Sequence, residues 1–348
     1  CKANNVELLP PDVNKSLYKF VPLNKNQILY GLGAIKGTGD SSIDLILDER
    51  NNNGVFKSLF DFTLRLDLTK VNRRVVESLV RSGAFDKIEP NRSSLLASVS
   101  LAIKIAEQSK NEAGQEGLFG GSDIEAIKLV EMNFWEEKKQ LLEEKLALGF
   151  YFSGHLFSYY KKIVKSFIST RLIELKPRQE SYLIAGIVSS VKYRQSSRGK
   201  IAIITIDDGE GRIDVILGNN LLTQSYNLIK DDELIIIEGR VSLDDYSGGN
   251  RLSALKIYDL MTFQSLKASL LRISLNGQAD AIKLKELLKP FCDLDTTHKK
   301  CKVKIDYKNT EGRVELILGP EWEVSLHEDL IIGLSESFND DNVKILYN

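Results

Sequence analysis

Hydrophobic periodicity changes twice along the chain. Between Tyr30 and about Ala106, apolar residues recur three and four positions apart in short runs: S-I-D-L-I-L-D-E-R, V-N-R-R-V-V-E-S-L-V and N-R-S-S-L-L-A-S-V-S-L-A-I-K-I-A-E-Q. This spacing predicts amphipathic helices, with Asn72 and Asn91 as N-caps of the last two. A longer charged helix is expected from Ile124 to Leu148, closed by Gly149. From Tyr182 the period falls to two. Y-L-I-A-G-I-V-S-S-V-K-Y, K-I-A-I-I-T-I and R-I-D-V-I-L-G read as strands, and N-N-L-L-T-Q-S-Y-N-L-I as a helix. E-L-I-I-I-E-G-R-V-S-L and R-L-S-A-L-K-I-Y-D-L are two further strands. Three strands, a helix and two strands is the order of an OB-fold, a five-stranded barrel. From about Leu270 the pattern runs strand, helix, strand, strand, helix, strand, which predicts a ferredoxin-like α+β sandwich.

A chain of 348 residues is too long for one core, and the fold class is multidomain α+β. The expected pieces are an extended connector over 1–29, containing L-L-P-P-D-V-N-K-S, a helical domain over 30–110 and a Gly-rich loop over 111–122. A helical connector over 123–178, the barrel over 179–262 and a C-terminal domain over 266–348 follow. Apolar runs are strand-sized, so no membrane partner is expected. Residue 1 is Cys with no signal-peptide pattern behind it, which suggests a chain that begins inside a longer protein. Cys1, Cys292 and Cys301 form no C-x-x-C pair, so reduced thiols and a cytoplasmic location are expected. A formal net charge of −1 leaves any nucleic-acid contact to local patches.

One such patch is L-G-A-I-K-G-T-G-D, with Lys36, Gly37, Thr38 and Gly39 ahead of a helix. Glycines permit a tight turn, and the helix start offers unpaired N–H groups to a phosphate, with Lys36 adding charge. This is how a helix-hairpin-helix grips a duplex backbone without reading bases. A weaker version, V-R-S-G-A-F-D, places Arg81, Ser82 and Gly83 between two helices; a plain Gly-closed connection is the alternative. On the barrel, the loop joining the first two strands would carry Lys192, Tyr193, Arg194, Arg198 and Lys200, and that joining the last two Tyr246 and Arg251. Cations for phosphates and aromatics for bases suit single-stranded nucleic acid, with stacking worth ~1–3 kcal/mol per base. Solvated loops that bind nothing are the bland reading. The pairs Asp207-Asp208, Asp231-Asp232 and Asp244-Asp245 lie at turns, where Asp makes local hydrogen bonds. His155, His298 and His327 share no motif with a nucleophile. No catalytic residue, metal site or cofactor is therefore assigned within this chain.

The Gly-rich loop N-E-A-G-Q-E-G-L-F-G-G sets Leu118 and Phe119 among four glycines. Such a pair either packs into its own core or fills a pocket on another protein.

The order of pieces resembles the C-terminal, non-catalytic part of the bacterial DNA polymerase III alpha-subunit family, over nearly the whole chain. G-L-G-A-I-K-G, F-K-S-L-F-D-F, K-V-N-R-R-V-V-E-S-L-V-R-S-G-A-F-D and A-L-G-F-Y-F-S-G-H carry the likeness. Leu156 stands where the family pattern has proline, and the second turn lacks Gly-x-Gly. The resemblance implies that residues 1–29 end a fingers region and that the tandem hairpins hold duplex DNA. It also implies an OB domain near single-stranded template and a C-terminal domain that docks the clamp-loader tau subunit. Q-E-G-L-F is similar to the family's pentapeptide for the sliding clamp (beta subunit), with Gln115 as a polar anchor and Leu118 and Phe119 as the apolar plug. Burying those two side chains is worth roughly 3–6 kcal/mol before ordering costs. Trp322, Phe338 and Tyr347 are candidates for the tau contact or for core packing. The resemblance implies a parent DNA-directed DNA polymerase whose divalent metal, expected to be magnesium, would sit in an upstream palm; this chain alone should extend no primer. Two rivals are an OB-fold RNA enzyme of the aminoacyl-tRNA synthetase kind, which would need a nucleotide-binding motif, and a stand-alone single-strand-binding or scaffold protein.

Overall fold

Phe56, Phe62 and Phe85, from three separate segments, stack edge to face with ring centroids 4.8 and 5.1 Å apart. They lie at the centre of the first of two units, Cys1–Tyr159 and Tyr160–Asn348. The computed structural model describes residues 4–112, 127–196, 199–243, 248–277, 281–293 and 300–347. A small sheet opens the first unit: β1 (Glu7–Leu9) pairs parallel with β3 (Gln27–Leu29), which pairs antiparallel with β2 (Val21–Asn24). Helices α1 (Asp40–Asn53), α2 (Leu59–Arg65), α3 (Arg73–Arg81), α4 (Arg92–Glu112) and α5 (Glu137–Leu148) follow. The stretch expected as a connector is knitted into this unit. Val13 is wholly buried in the helical core, and Arg50 donates to the carbonyls of Val13 and Ser16 at 2.9 and 3.0 Å.

Both expected caps form. Asn72 Oδ1 accepts from the amide of Val75, and Asn91 Oδ1 from those of Ser93 and Ser94. The charged helix is shorter than its sequence suggests. Its expected start lies outside the described residues, and 127–136 are not helical. Instead, the amides of Val130 and Met132 donate to Ser98 Oγ (2.8 Å) and Ser94 Oγ (3.0 Å) on α4. Two small hydroxyls one helical turn apart thus satisfy the backbone that a helix would have satisfied internally. The end is as expected: Gly149 closes α5 at φ 91°. Leu156, buried, is the first residue of α6 (Leu156–Val164), the position at which a helix readily accepts proline.

In the second unit, β4 (Tyr182–Ser196), β5 (Gly199–Asp207), β6 (Arg212–Leu217), β7 (Leu234–Leu243) and β8 (Asn250–Tyr258) close a barrel in the order β4-β5-β6-β8-β7. Helix α7 (Asn219–Ser225) bridges β6 and β7, and β6 runs parallel to β8. Alternate residues such as Ile184, Ile204, Ile206, Val215, Ile237 and Leu252 fill the interior.

Helix α8 (Leu260–Lys267) leads to β9 (Ala268–Asn276), α9 (Ala281–Cys292), β10 (Lys302–Lys308), β11 (Arg313–Ile317), α10 (Glu328–Phe338) and β12 (Val343–Tyr347). The element order matches the sequence reading, but the sheet is not ferredoxin-like. A split β-α-β arrangement would keep β9 and β10 apart, with another strand between them. Here they are parallel neighbours in the order β11-β10-β9-β12. Direct pairing of Leu271 with Val303 brings two fully buried residues together at the centre. R-V-E-L-I of β11, exposed along its whole length, is left at the edge. Trp322 and Phe338 pack against this core. Tyr347 accepts a hydrogen bond from Gln264 Nε2 at 2.7 Å, and burial pushes its phenol up to about 12. Cys292 and Cys301 are buried and unbridged. No described helix is long and apolar enough to cross a membrane.

Candidate nucleic-acid interface

The two glycine turns read from the sequence have opposite surroundings. In the first, Gly37 adopts φ +86°, and Thr38 Oγ1 donates to the carbonyls of Ile35 (2.7 Å) and Leu32 (3.2 Å). The Lys36 amide donates to Ala147 at 2.7 Å, pinning the turn to the end of α5. Lys36, Gly37 and Gly39 are exposed, and a side chain at Gly39 would meet nothing within 4 Å. The first amides of α1 lack intrahelical acceptors, so the turn presents donors to an open face.

Gly83, at φ +83°, is buried beneath Arg92. The Arg92 guanidinium holds Asp86 through two bonds of 2.8 and 2.6 Å and Glu144 at 3.0 Å. Burial opposes the Arg92 charge, but Asp86 and Glu144 outweigh it and push the guanidinium pKa up. Glu144 is fully buried and also accepts from the amides of Phe152 and Ser153. Ser82 is buried and donates to Leu79 at 2.8 Å, while Arg81 is paired with Glu143 and with Glu77. The expected phosphate contacts Arg81, Ser82 and Gly83 are thus drawn into an internal network. The sequence shows the glycine but not the arginine that returns nine residues later.

On the barrel, Lys192, Tyr193 and Arg194 are not in a loop. They belong to β4, which runs on to Ser196, and Lys200 belongs to β5. The pairing Tyr193↔Ala202 and Gln195↔Lys200 sets Tyr193 and Lys200 on one face, with Lys192 and Arg194 on the other. Tyr193 stacks on Tyr226 at a centroid distance of 6.4 Å and 30° between planes, and Lys200 Nζ lies 4.5 Å from the Tyr193 ring. Both tyrosines are exposed, at 42% and 56%. Burial, then the neighbouring Tyr226 and Asp231, raises the Tyr193 phenol. Tyr226 escaped sequence reading because it sits in an apparent helix; its polar neighbours Ser225 and Asn227 were the available signal. Arg251 lies on β8, in register with Asp214 of β6. Arg198, Tyr246 and the loop residues Gln115, Leu118 and Phe119 lie outside the described residues.

The acidic pair at 207–208 serves its turn. Asp207 accepts from Gly209 and Arg212, and Asp208 from Glu210, Gly211 and Leu172. His155 and His327 accept from the amides of Phe157 and Asp329, near the starts of α6 and α10. Among the described residues, no three His, Cys, Asp or Glu side chains are grouped to hold a metal.

A helix-hairpin-helix motif matches residues 5–95, and an OB-fold nucleic acid binding domain matches residues 182–260. The chain is 37% identical to the DNA polymerase III subunit alpha of Neisseria meningitidis serogroup A, across 99% of this chain and 30% of that protein. It is 36% identical to the protein of that name from Vibrio cholerae, covering 100% of this chain and 31% of the relative. The Escherichia coli K12 protein is 33% identical with the same coverage. The chain therefore spans about three-tenths of the length of the curated relatives it matches.

Proposed function

Since the chain belongs to the bacterial DNA polymerase III alpha-subunit family, as a C-terminal region of it, we propose that it is the part of a replicative polymerase that holds DNA and docks partners. The observation that carries this reading is the identity along the whole chain. The open turn at Lys36–Gly39 supports a grip on duplex backbone, and the exposed Tyr193–Tyr226 pair with Lys200 supports stacking of single-stranded template. Gln115, Leu118 and Phe119 would anchor the sliding clamp. The C-terminal domain would engage the clamp-loader tau subunit. Trp322, Phe338 and Tyr347 are used in packing, so other surfaces of that domain would make the contact. Tethering to the clamp would raise processivity through effective concentration. Primer extension would belong to a metal-holding palm in the parent protein, which would act in the cytoplasm.

Two titrations test this reading. Against a fluorescent single strand, Tyr193→Ala and Tyr226→Ala should each weaken binding by ~1–3 kcal/mol; unchanged affinity in both would rule out the barrel as the single-strand site. Against the cognate clamp, calorimetry should show binding by the parent chain and none by a folded Leu118→Ala/Phe119→Ala variant. Equal binding by both chains would contradict the clamp assignment.

A further inference from the structure

Across from the first turn, α3 contributes to a concave pocket of about 420 Å³. Its polar lining is Lys36, Arg74, Glu77, Ser78 and Arg81, and Leu146 and Ala147 near the end of α5 complete it. Gly37 brings the turn close to α3: a side chain there would stand 3.2 Å from Ser78 Oγ and 3.3 Å from Arg74 Nε. Three cations therefore face one carboxylate, and that carboxylate is already engaged. Glu77 accepts from Arg73 Nε at 2.6 Å and pairs with Arg81 at 3.6 Å, while Arg81 is held from behind by Glu143. Lys36 and Arg74 are exposed, and neither enters an ion pair among the described residues.

We propose that this pocket is a seat for one phosphodiester group of duplex DNA, clasped between Lys36 of the turn and Arg74 of α3, with Ser78 donating a third hydrogen bond. The inference rests on the reading that the first turn holds duplex, and extends it from that turn to α3 within the same matched stretch. A point-charge ammonium and a planar guanidinium approaching from two sides match the two non-bridging oxygens of a phosphate. Arg81 is a positioning residue: by holding Glu77 together with Arg73, it keeps a negative charge off the anion. A local positive cleft of this kind works in a chain whose net charge is −1.

Anisotropy titrations of the chain with a short labelled duplex, and with its single strand, from about 0.05 to 0.2 M salt test this. Arg74→Ala sits on an exposed helix surface, and circular dichroism should show an unchanged fold. Its duplex affinity should fall roughly five- to tenfold near 0.1 M salt, and the salt slope should shrink by about 0.9, the loss of one phosphate contact. Single-strand affinity should hold. Arg81→Ala should weaken duplex binding, and adding Glu77→Gln should restore it; a loss that Glu77→Gln does not rescue overturns the positioning role. If Lys36→Ala weakens duplex binding while Arg74→Ala leaves affinity and slope unchanged, the pocket is refuted and the hairpin reading survives. Equal losses on duplex and single strand overturn the duplex assignment. Failure of the unmodified chain to bind duplex rejects the hairpin reading, and this seat with it.

Discussion

Gly37 and Gly83 have nearly the same backbone angle, φ +86° and +83°, and each stands in a turn before a helix. One turn is open, with Lys36 and Arg74 beside it; the other is plugged by Arg92. A left-handed glycine is needed for either geometry. The use of each turn is decided by the side chain that does or does not return to it. Arg92 opens α4, folds back over Gly83 and bonds to two carboxylates, so the second turn is closed into an internal network. Among the described residues no ion-paired arginine plugs the first turn in this way, and its face at Gly39 stays open to a ligand.

This contrast can be broken by substitution. The largest effect is expected for Arg92→Ala, which strands the buried Glu144 and should cost ~3–5 kcal/mol in urea unfolding, with duplex affinity lost only as far as folding is lost. Gly83→Ala forces a Cβ into the Arg92 guanidinium at a positive φ, and should lower stability by about 2–3 kcal/mol. Gly37→Ala puts a Cβ at a positive φ and tightly against Ser78 Oγ and Arg74 Nε, at 3.2 and 3.3 Å, but both side chains can shift, so about 1–2 kcal/mol of stability is expected to go. Its effect on duplex affinity should be disproportionate, because the new methyl enters the cradle. If the two glycine variants lose stability and duplex affinity in the same ratio, the distinction between the turns is wrong. Gly39→Ala, at φ −91° and facing open space, loses only the N-cap preference for Gly over Ala and should cost about 0.5–1 kcal/mol.

Acid should weaken the helix after the open turn. The hydrogen bond from Arg65 holds the Glu49 carboxyl below its ordinary range. A lowered folded pKa contributes stability that is present above the unfolded value, about 4.3, and lost as pH falls through the folded one. Comparing acid unfolding of the parent with Glu49→Gln should show a shallower pH dependence in the variant; identical profiles would show that the pair contributes nothing to acid stability.

Much of this architecture was legible because local pattern and tertiary need agreed. Alternation of buried and less buried positions along β6 and most of β5 marks a barrel wall, and Asn72 and Asn91 are caps by chemistry alone. The failures share a cause: a partner distant in sequence decided the outcome. Residues 127–136 contain apolar positions at helical spacing, yet Ser94 and Ser98 accept that backbone's amides and it is not helical. The order of the C-terminal sheet turns on which strands pair, and alternation does not encode that. At the sites, Lys36 through Gly39 could be read from a motif. Arg74, Tyr226 and the plugging role of Arg92 could not, since each acquires its meaning from a turn or ring on another element.

Amide hydrogen exchange with and without a short duplex tests most directly whether the open turn and not the plugged one holds DNA. Duplex should slow exchange in peptides spanning residues 36–41 and the start of α3, while peptides covering 82–86 stay unchanged. Protection confined to 82–86, or bound duplex that protects neither turn, would contradict this division of roles.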